Sequence, residues 1–267
     1  MTLRVNELRN ESASYPHCLP SCTLVSLVVH RFMSIAENIA RVEEQIRASA
    51  SRAGRNPEAI TLMAVTKTVP PEQIGEAYSA GIHEFGENRV QEFSGKREAL
   101  RDLSAQWHMI GHLQSNKAAS AVEFFDAIDS IDSLRLARKI NAAAQERGKK
   151  LEALIEVNIG GEPAKAGLAP DSPELQNILR AAPKLPSLEV MGLMTVPPYD
   201  DDPEASRSYF RRMRTLFAQI EAMNLPGIHM KTLSMGMSHD FQVAIEEGST
   251  CVRVGTAIFG ERPRSKA

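Results

Sequence analysis

An alternation of two patterns along the chain constrains its fold more than any other feature. Apolar runs typical of buried strands recur at residues 60–67, 83–88, 107–111, 126–131, 151–159, 188–196, 229–235 and 251–254. Helical patterns separate these runs, near residues 71–80, 90–103, 116–125, 133–147, 172–182, 204–224 and 241–247. Because strands and helices alternate, we predict a parallel sheet whose strands are joined by right-handed crossovers.

The number of these units indicates how the sheet is closed. Eight strand–helix units between residues 33 and 267 match a (β/α)8 TIM barrel, for which about 250 residues is typical. An open doubly wound sheet is the competing fold, but no glycine fingerprint follows the first strand-like run. We therefore predict a single barrel domain over residues 33–267. A further amphipathic helix, from Ile35 to about Ala53, is expected to complete the ring of helices.

Composition excludes several classes of partner. The net charge is -2 and only 5% of the residues are aromatic, which argues against a nucleic-acid surface. No apolar run approaches the roughly 18 residues that a membrane helix needs. Three cysteines, two of them near the N-terminus, do not form a disulfide framework. We expect a cytoplasmic protein and, for lack of a long apolar exposed helix, a monomer.

Residues 1–32 differ from the rest of the chain. They combine scattered charges with a short apolar run over residues 24–29, which is shorter than a signal peptide requires. Ser34 and Glu37 have the spacing of a helix capping box, so an ordered helix is expected just after Met33. We expect residues 1–32 to be a disordered or mis-annotated extension. A targeting segment is the alternative.

Lys67 is the first candidate for chemistry. It closes a mostly apolar strand-like run and is followed closely by Pro70 and Pro71. A lysine at a strand mouth, partly out of water, would have a lowered pKa, and its amine could then attack an aldehyde. The alternative is a lysine that reaches solvent or pairs with a carboxylate.

Two adjacent strand ends indicate an anion site. Gly255 and Thr256 directly follow the eighth strand, where backbone N–H groups and a hydroxyl could hold a phosphate. Ser234 and Ser238 bracket the end of the seventh strand, and barrels often bind phosphate after strands seven and eight. Two ordinary glycine/serine turns would explain the same pattern.

Arg253 lies inside the eighth strand, where a fixed charge needs a partner. That partner could be a carboxylate such as Glu156 or a heteroatom of a ligand. A phosphate cup, a lysine across the barrel and an arginine between them would suit pyridoxal 5′-phosphate (PLP). His108 and His112 are four residues apart on a strand without a nearby third ligand, so no metal site is predicted.

Several motifs together resemble the pyridoxal phosphate homeostasis protein family, which shares its barrel with the N-terminal domain of alanine racemase. They occur in the family's order, at residues 64–68 (AVTKT), 85–92 (FGENRVQE), 107–117 (WHMIGHLQSNK), 157–158 (VN), 165–167 (KAG), 191–195 (MGLMT), 233–240 (LSMGMSHD) and 253–260 (RVGTAIFG). Two departures are residues 1–32, which have no family counterpart, and Gly160, where many relatives carry serine.

The resemblance implies a set of cofactor contacts. Lys67 would hold PLP covalently as an internal aldimine, and Arg253 would face the ring nitrogen. Asn88 and Met194 would line the ring pocket, and Lys165 matches a second family lysine near the site. The phosphate would be bound by the segment between Ser234 and Ser238 together with Gly255 and Thr256.

The resemblance also implies a function. Racemases use a tyrosine from a second, β-rich domain as one of two acid/base groups, and we expect no such domain here. The expected function is therefore non-catalytic: intracellular vitamin B6 homeostasis, with PLP-dependent apo-enzymes as possible recipients of the cofactor. The alternative is a PLP-dependent amino-acid racemase or a related enzyme.

Overall fold

A computed structural model describes residues 33–261. Eight parallel strands form a closed barrel in the order of the sequence, and the last strand pairs with the first. The strands are β1 (Thr61–Val65), β2 (Glu84–Glu87), β3 (Gln106–Met109), β4 (Ala127–Ile131), β5 (Leu151–Glu156), β6 (Leu188–Met194), β7 (Ile228–Met237) and β8 (Cys251–Val254). The predicted (β/α)8 barrel is therefore confirmed.

The helices surround this barrel. They are α1 (Ile35–Arg52), α2 (Pro71–Ser79), α3 (Val90–Lys96), α4 (Ala118–Phe124), α5 (Leu134–Glu146), α6 (Pro173–Ala181), α7 (Arg207–Ala222), α8 (Phe241–Glu246) and the short α9 (Thr256–Phe259). Helix α1 begins at the predicted capping box: the Ser34 hydroxyl accepts from the Glu37 amide at 3.2 Å, and the Glu37 carboxylate accepts from the Ser34 amide at 2.8 Å.

Strand alternation divides the apolar side chains into two groups. The large group fills the layer between barrel and helices, and the outward side chains of the strands, such as Ala64, Phe85 and Trp107, belong to it. A small separate cluster of Leu154, Met191 and Met194, with Ile110 against it, lies inside the barrel. The interior is only partly apolar, because Glu84, His108 and Asp129 also line it.

The sheet is irregular where β6 meets β7. The register shifts between Val190 and Gly192, and Gly192 has φ +152°. A Cβ atom on Gly192 would lie 1.8 Å from the carbonyl oxygen of Thr232, so this close approach of the two strands requires glycine.

Some predicted boundaries shift. Strand β1 ends at Val65, two residues before Lys67, and β7 continues to Met237, past the predicted end at residue 235. Within residues 33–261, no helix is long and apolar enough to cross a membrane. The predictions for residues 1–32 lie outside the described residues.

Candidate functional site

The predicted site residues gather at the carboxyl ends of the strands, where barrel enzymes and binding proteins place their chemistry. Lys67 lies in the turn after β1, two residues past the end of the strand, and its side chain is exposed. The expected partial burial of Lys67 is therefore wrong. The apolar run stops at Val65, and the chain then turns out of the barrel wall toward solvent.

Asn88 follows β2 directly, next to the end of β3. A Cβ atom at Gly111 would lie 2.3 Å from the carbonyl oxygen of Asn88, so glycine at position 111 allows the two strand ends to approach each other. Asn88 is half-buried at the mouth of the barrel, directly after β2, the strand that pairs with β1. It is therefore beside the turn that carries Lys67.

Ser238 and the residues after β8 form one hydrogen-bonded turn, which we name the anion turn (Ser238 with Gly255, Thr256 and Ala257). The Ser238 hydroxyl accepts from the backbone amides of Gly255 at 3.2 Å and of Ala257 at 3.3 Å. Thr256 is exposed between them. Because the Ser238 hydroxyl accepts both of these bonds, its own proton can be donated to a ligand, and hydroxyl donors of this kind bind phosphate.

Helix α1 forms hydrogen bonds to the anion turn and to the residue that follows it. The side-chain amide of Asn38 donates to the carbonyl of Ile258 at 2.9 Å, and Arg41 donates to the carbonyl of Ala257 at 3.3 Å. These bonds join residues more than two hundred positions apart in the chain. The first described helix therefore fixes the last described turn.

Ser234 lies lower in the barrel than predicted. Because β7 extends to Met237, Ser234 is an internal strand residue and is fully buried. Its hydroxyl accepts from Nη1 of Arg253 at 2.6 Å. Ser234 thus holds the arginine, while Ser238 belongs to the anion turn.

Arg253 is buried inside the barrel and is held rigidly. Nη2 donates to the carbonyl oxygen of Thr195 at 2.7 Å, in addition to the bond from Nη1 to Ser234. Burial lowers the pKa of the guanidinium below its ordinary value. Within residues 33–261, no hydrogen bond or ion pair joins Arg253 to Glu156.

Glu156 closes β5, the strand diametrically opposite β1 in the ring of eight. It is buried, and its Oε2 atom has no hydrogen-bond partner. Burial raises the pKa of the Glu156 carboxyl to about 7, helped by Asp132 and opposed by Arg253 and His112. The sequence signal for this residue is a glutamate that directly follows the apolar residues 153–155, and the sequence pattern indicates it only as a partner for Arg253.

Two other predicted residues border the mouth. Met194 is the last residue of β6 and is buried in the small cluster inside the barrel. Lys165 lies in the loop after β5, forms an ion pair with Glu162, and donates to the carbonyl of Pro197 at 3.0 Å. Lys165 therefore links the loops that follow β5 and β6.

A polar network that sequence reasoning missed lies behind the turn of Lys67. Lys96 of α3 contacts Glu87 and Glu92, and these three side chains bond to Thr66 and Thr68 on either side of Lys67. We name this group the α3 clamp (Glu87, Glu92 and Lys96). The sequence offers only a lysine four residues after a glutamate, a spacing common on exposed helices.

The opposite end of the barrel carries a different charged group. His108 lies inside the barrel with Nε2 2.8 Å from Glu84 and Nδ1 3.1 Å from Asp129. Burial opposes the charge of His108, but the two carboxylates outweigh it and raise the pKa of the imidazole to about 10. A cavity of about 540 Å³ opens beside these residues, away from the predicted site. This end of a barrel usually serves stability.

His112 is separate from His108. It lies after β3 at the mouth, where Nδ1 is 3.0 Å from Asp132. In the described part of the chain, no group of three or more His, Cys, Asp or Glu side chains could hold a metal ion.

Fold and site together define a barrel of the alanine racemase N-terminal type. The family model described as "Alanine racemase, N-terminal domain" matches residues 38–263. The chain belongs, more narrowly, to the pyridoxal phosphate homeostasis protein family. A relative of that name from Aquifex aeolicus is 45% identical over 86% of this chain and 99% of its own length. The relative of that name from Escherichia coli is 43% identical over 87% of this chain and 98% of its own length.

A solved structure agrees with this assignment. The chain is similar to PipY of Synechococcus elongatus, whose structure was determined with PLP bound. The identity is 38%, the TM-score is 0.75, and the match covers 85% of this chain and all of PipY.

Proposed function

We propose that this protein binds PLP at the mouth of its barrel and acts in intracellular PLP homeostasis without catalysing a reaction. The observation that carries the proposal is the arrangement at the strand ends. An exposed amine at Lys67, the anion turn and an immobilised buried arginine all lie at the same end of one closed barrel. The names of the relatives and the PLP in PipY support this choice of ligand.

The chemistry of the residues present fits PLP. The anion turn offers the hydroxyls of Ser238 and Thr256 to the phosphate, and the backbone amides of Gly255 and Ala257 hold the Ser238 hydroxyl in place. Arg253 uses two of its five N–H donors on Ser234 and Thr195, which leaves donors for a ring nitrogen. An arginine in that position would keep the ring nitrogen unprotonated, and PLP would then be a weak electron sink. Asn88 and Met194 would border the ring, and Lys67 would supply the amine for a Schiff base.

We expect the visible absorbance of a protonated Schiff base in the wild-type protein mixed with PLP, and its loss in Lys67→Ala. The proposed Schiff base joins the aldehyde of PLP to the amine of Lys67, and alanine has no side-chain amine. The measurement is an absorbance spectrum before and after borohydride reduction, followed by mass spectrometry of the modified peptide. Lys139→Ala, which removes an exposed lysine of α5, is the matched control and should keep the band. A wild-type protein that binds no PLP contradicts the whole proposal.

The exposure of Lys67 supports a carrier. Water and other amines can reach an exposed Schiff base, so the bond that holds the cofactor can also be reversed. A cell gains from such a carrier because free PLP is a reactive aldehyde. We further propose that the protein acts as a monomer in the cytoplasm and that PLP-dependent apo-enzymes receive the cofactor. Lys165, at the edge of the same mouth, is included in the proposed site.

A second candidate function is amino-acid racemisation. Glu156 favours it, because a buried carboxyl whose pKa is raised to about 7 lies on the strand opposite β1 and could act as an acid or a base. Incubation of the PLP-loaded protein with single-enantiomer amino acids, followed by chiral chromatography, separates the two functions. We expect no turnover. A rate above about 1 per second, lost in Glu156→Gln, would establish the enzyme instead.

A further inference from the structure

The α3 clamp uses the full hydrogen-bonding capacity of one largely buried lysine. Nζ of Lys96 donates to Oε1 of Glu92 at 2.8 Å, to the carbonyl oxygen of Thr66 at 2.9 Å and to Oε1 of Glu87 at 3.1 Å. An ammonium group has three donors, so each has an acceptor. The side chain of Lys96 is 12% exposed and that of Glu87 is fully buried. Charges placed this far from water are costly unless they are paired.

The clamp bonds to the backbone on both sides of Lys67. Lys96 holds the carbonyl of Thr66, and the Thr66 hydroxyl donates to Oε1 of Glu87 at 2.8 Å. The backbone amide of Thr68 donates to Oε1 of Glu92. The clamp therefore binds the residue before Lys67 and the residue after it.

The backbone between these anchors has an unusual shape. Thr68 has φ +60°, a left-handed conformation that a β-branched residue rarely adopts. Such a conformation persists only where its surroundings hold it in place. The bond from the Thr68 amide to Glu92 is a restraint of that kind. The sharp turn after Lys67 is thus held by side chains from α3.

Stability alone is a weak reason for this arrangement. Val90 and Phe93 of the same helix pack into the apolar layer around the barrel, and an apolar residue at position 96 could extend that layer. Replacing buried ion pairs with well-packed apolar side chains is often neutral or stabilising. An apolar residue at position 96 could not bond to the carbonyl of Thr66, nor to the Glu92 carboxylate that accepts from the amide of Thr68.

The geometry points to Lys96 as a positioning residue for Lys67: through the α3 clamp it fixes the turn from which the amine reaches the ligand. This inference rests on the proposed function, because it concerns the same amine. Lys96 does not contact the ligand. It bonds to the carbonyl of Thr66 and, through Glu92, holds the amide of Thr68. These bonds keep Thr68 in its left-handed conformation.

Lys96→Met tests the inference. The substitution removes all three donors and leaves two carboxylates without their shared cation. We expect Schiff-base formation with PLP to become about 10-fold slower or more, since small displacements of a reacting group have effects of this size. The rate is measured by stopped-flow absorbance below the unfolding transition of each variant. Lys149→Met is the matched control, because Lys149 donates to the carbonyl of Val122 at 3.1 Å near the other end of the barrel.

A second pair of variants separates positioning from a general effect on the pocket. In a Lys67→Ala background, where no Schiff base forms, equilibrium dialysis measures the non-covalent binding of PLP. We expect Lys96→Met to leave the non-covalent affinity for PLP unchanged in the Lys67→Ala background. In the protein that retains Lys67, the same substitution should slow Schiff-base formation. An equal loss in both backgrounds would overturn the positioning role. Lys96→Arg, which keeps the charge and several donors, should restore part of the rate.

A third variant keeps the inference testable if Lys96→Met does not fold. Glu92→Ala releases the Thr68 amide and removes one of the three acceptors of Lys96, but it leaves the bonds from Lys96 to Thr66 and Glu87 in place. Because Glu92 is partly exposed, the barrel should tolerate its loss. It should also slow the covalent step. Normal rates in every folded clamp variant, with a wild-type protein that reacts, would refute the inference and leave the proposed function intact. A wild-type protein that forms no Schiff base would refute the proposed function.

Discussion

Glu156 is the described carboxyl whose environment at the barrel mouth most strongly opposes its charge. It is buried, its Oε2 has no hydrogen-bond partner, and Asp132 adds negative charge nearby. Arg253 and His112 offset only part of this, so the pKa of the carboxyl is raised to about 7 from the usual 4.5. A side chain with this pKa changes charge within the pH range of most cells.

The stability of the protein should depend on pH through Glu156. Below pH 4.5 the carboxyl is protonated in the folded and the unfolded chain, so it has no effect. Between 4.5 and about 7 only the folded state keeps the proton, so the free energy of unfolding falls as the pH rises. The full cost, about 3 kcal/mol, is present above pH 7.

We therefore expect Glu156→Gln to be more stable than the wild type at pH 8, with the gain shrinking toward pH 5. Urea unfolding at both pH values measures the difference. Glu152→Gln, at the exposed start of the same strand, is the control for the loss of one carboxylate from β5. A gain from Glu156→Gln that does not vary with pH would contradict this account.

At the scale of the element, β6 depends on one glycine. The Gly192 Cβ position is occupied by the backbone of Thr232 in β7, at 1.8 Å from its carbonyl oxygen and 2.8 Å from its carbonyl carbon. A backbone carbonyl cannot rotate away as a flexible side chain could, so the two strands would have to separate. Because β6 carries Met194 and Thr195 to the mouth, such a separation would also disturb the support of Arg253.

Gly192→Ala should destabilise the protein by about 4 kcal/mol or more, the range reached only by severe core changes. Gly75→Ala is the matched control: it lies in α2 with no atom within 4 Å of its Cβ position. That change should stabilise the protein by about 1 kcal/mol, because alanine is the better helix former. Thermal and urea unfolding of both variants check the prediction. Equal stability of the two would show that β7 can move at this point.

Local pattern predicted the elements because each depends on residues near it in the chain. Apolar runs and the Pro70–Pro71 pair are enough to indicate β1 and the start of α2. The end of β1 was missed because it depends on Thr68, whose conformation is held by Glu92, 24 residues away. The clamp was missed for the same reason, since Lys96 meets Thr66 only after the strand and helix have packed.

Parts of the site that depend on neighbouring residues could be predicted from the sequence, and parts that depend on distant segments could not. The anion turn was found because its glycine and hydroxyls directly follow an apolar strand. The role of Ser234 was not, because only the lengthened β7 brings its hydroxyl to Arg253. The buried environment of Glu156 likewise depends on Asp132, His112 and Arg253, which come from three other segments.

At the scale of the whole molecule, closure joins the two ends of the described chain. Strand β8 pairs with β1, with Met63 opposite Arg253. Helix α1 packs beside α8 and α9, and Asn38 reaches the carbonyl of Ile258. These contacts are the most distant in sequence, so they have the largest loop-closure cost and the barrel cannot complete them early.

This closure has a consequence for the order of events during synthesis. During translation the first seven strands are synthesised before the residues of the anion turn. Helix α1 is synthesised earlier still, so it cannot form its bonds to Ala257 and Ile258 until the end. An incomplete chain therefore contains the amine of Lys67 but lacks the anion turn that would bind the phosphate. The binding site matures in a single late step, when the newest residues of the barrel meet some of the oldest.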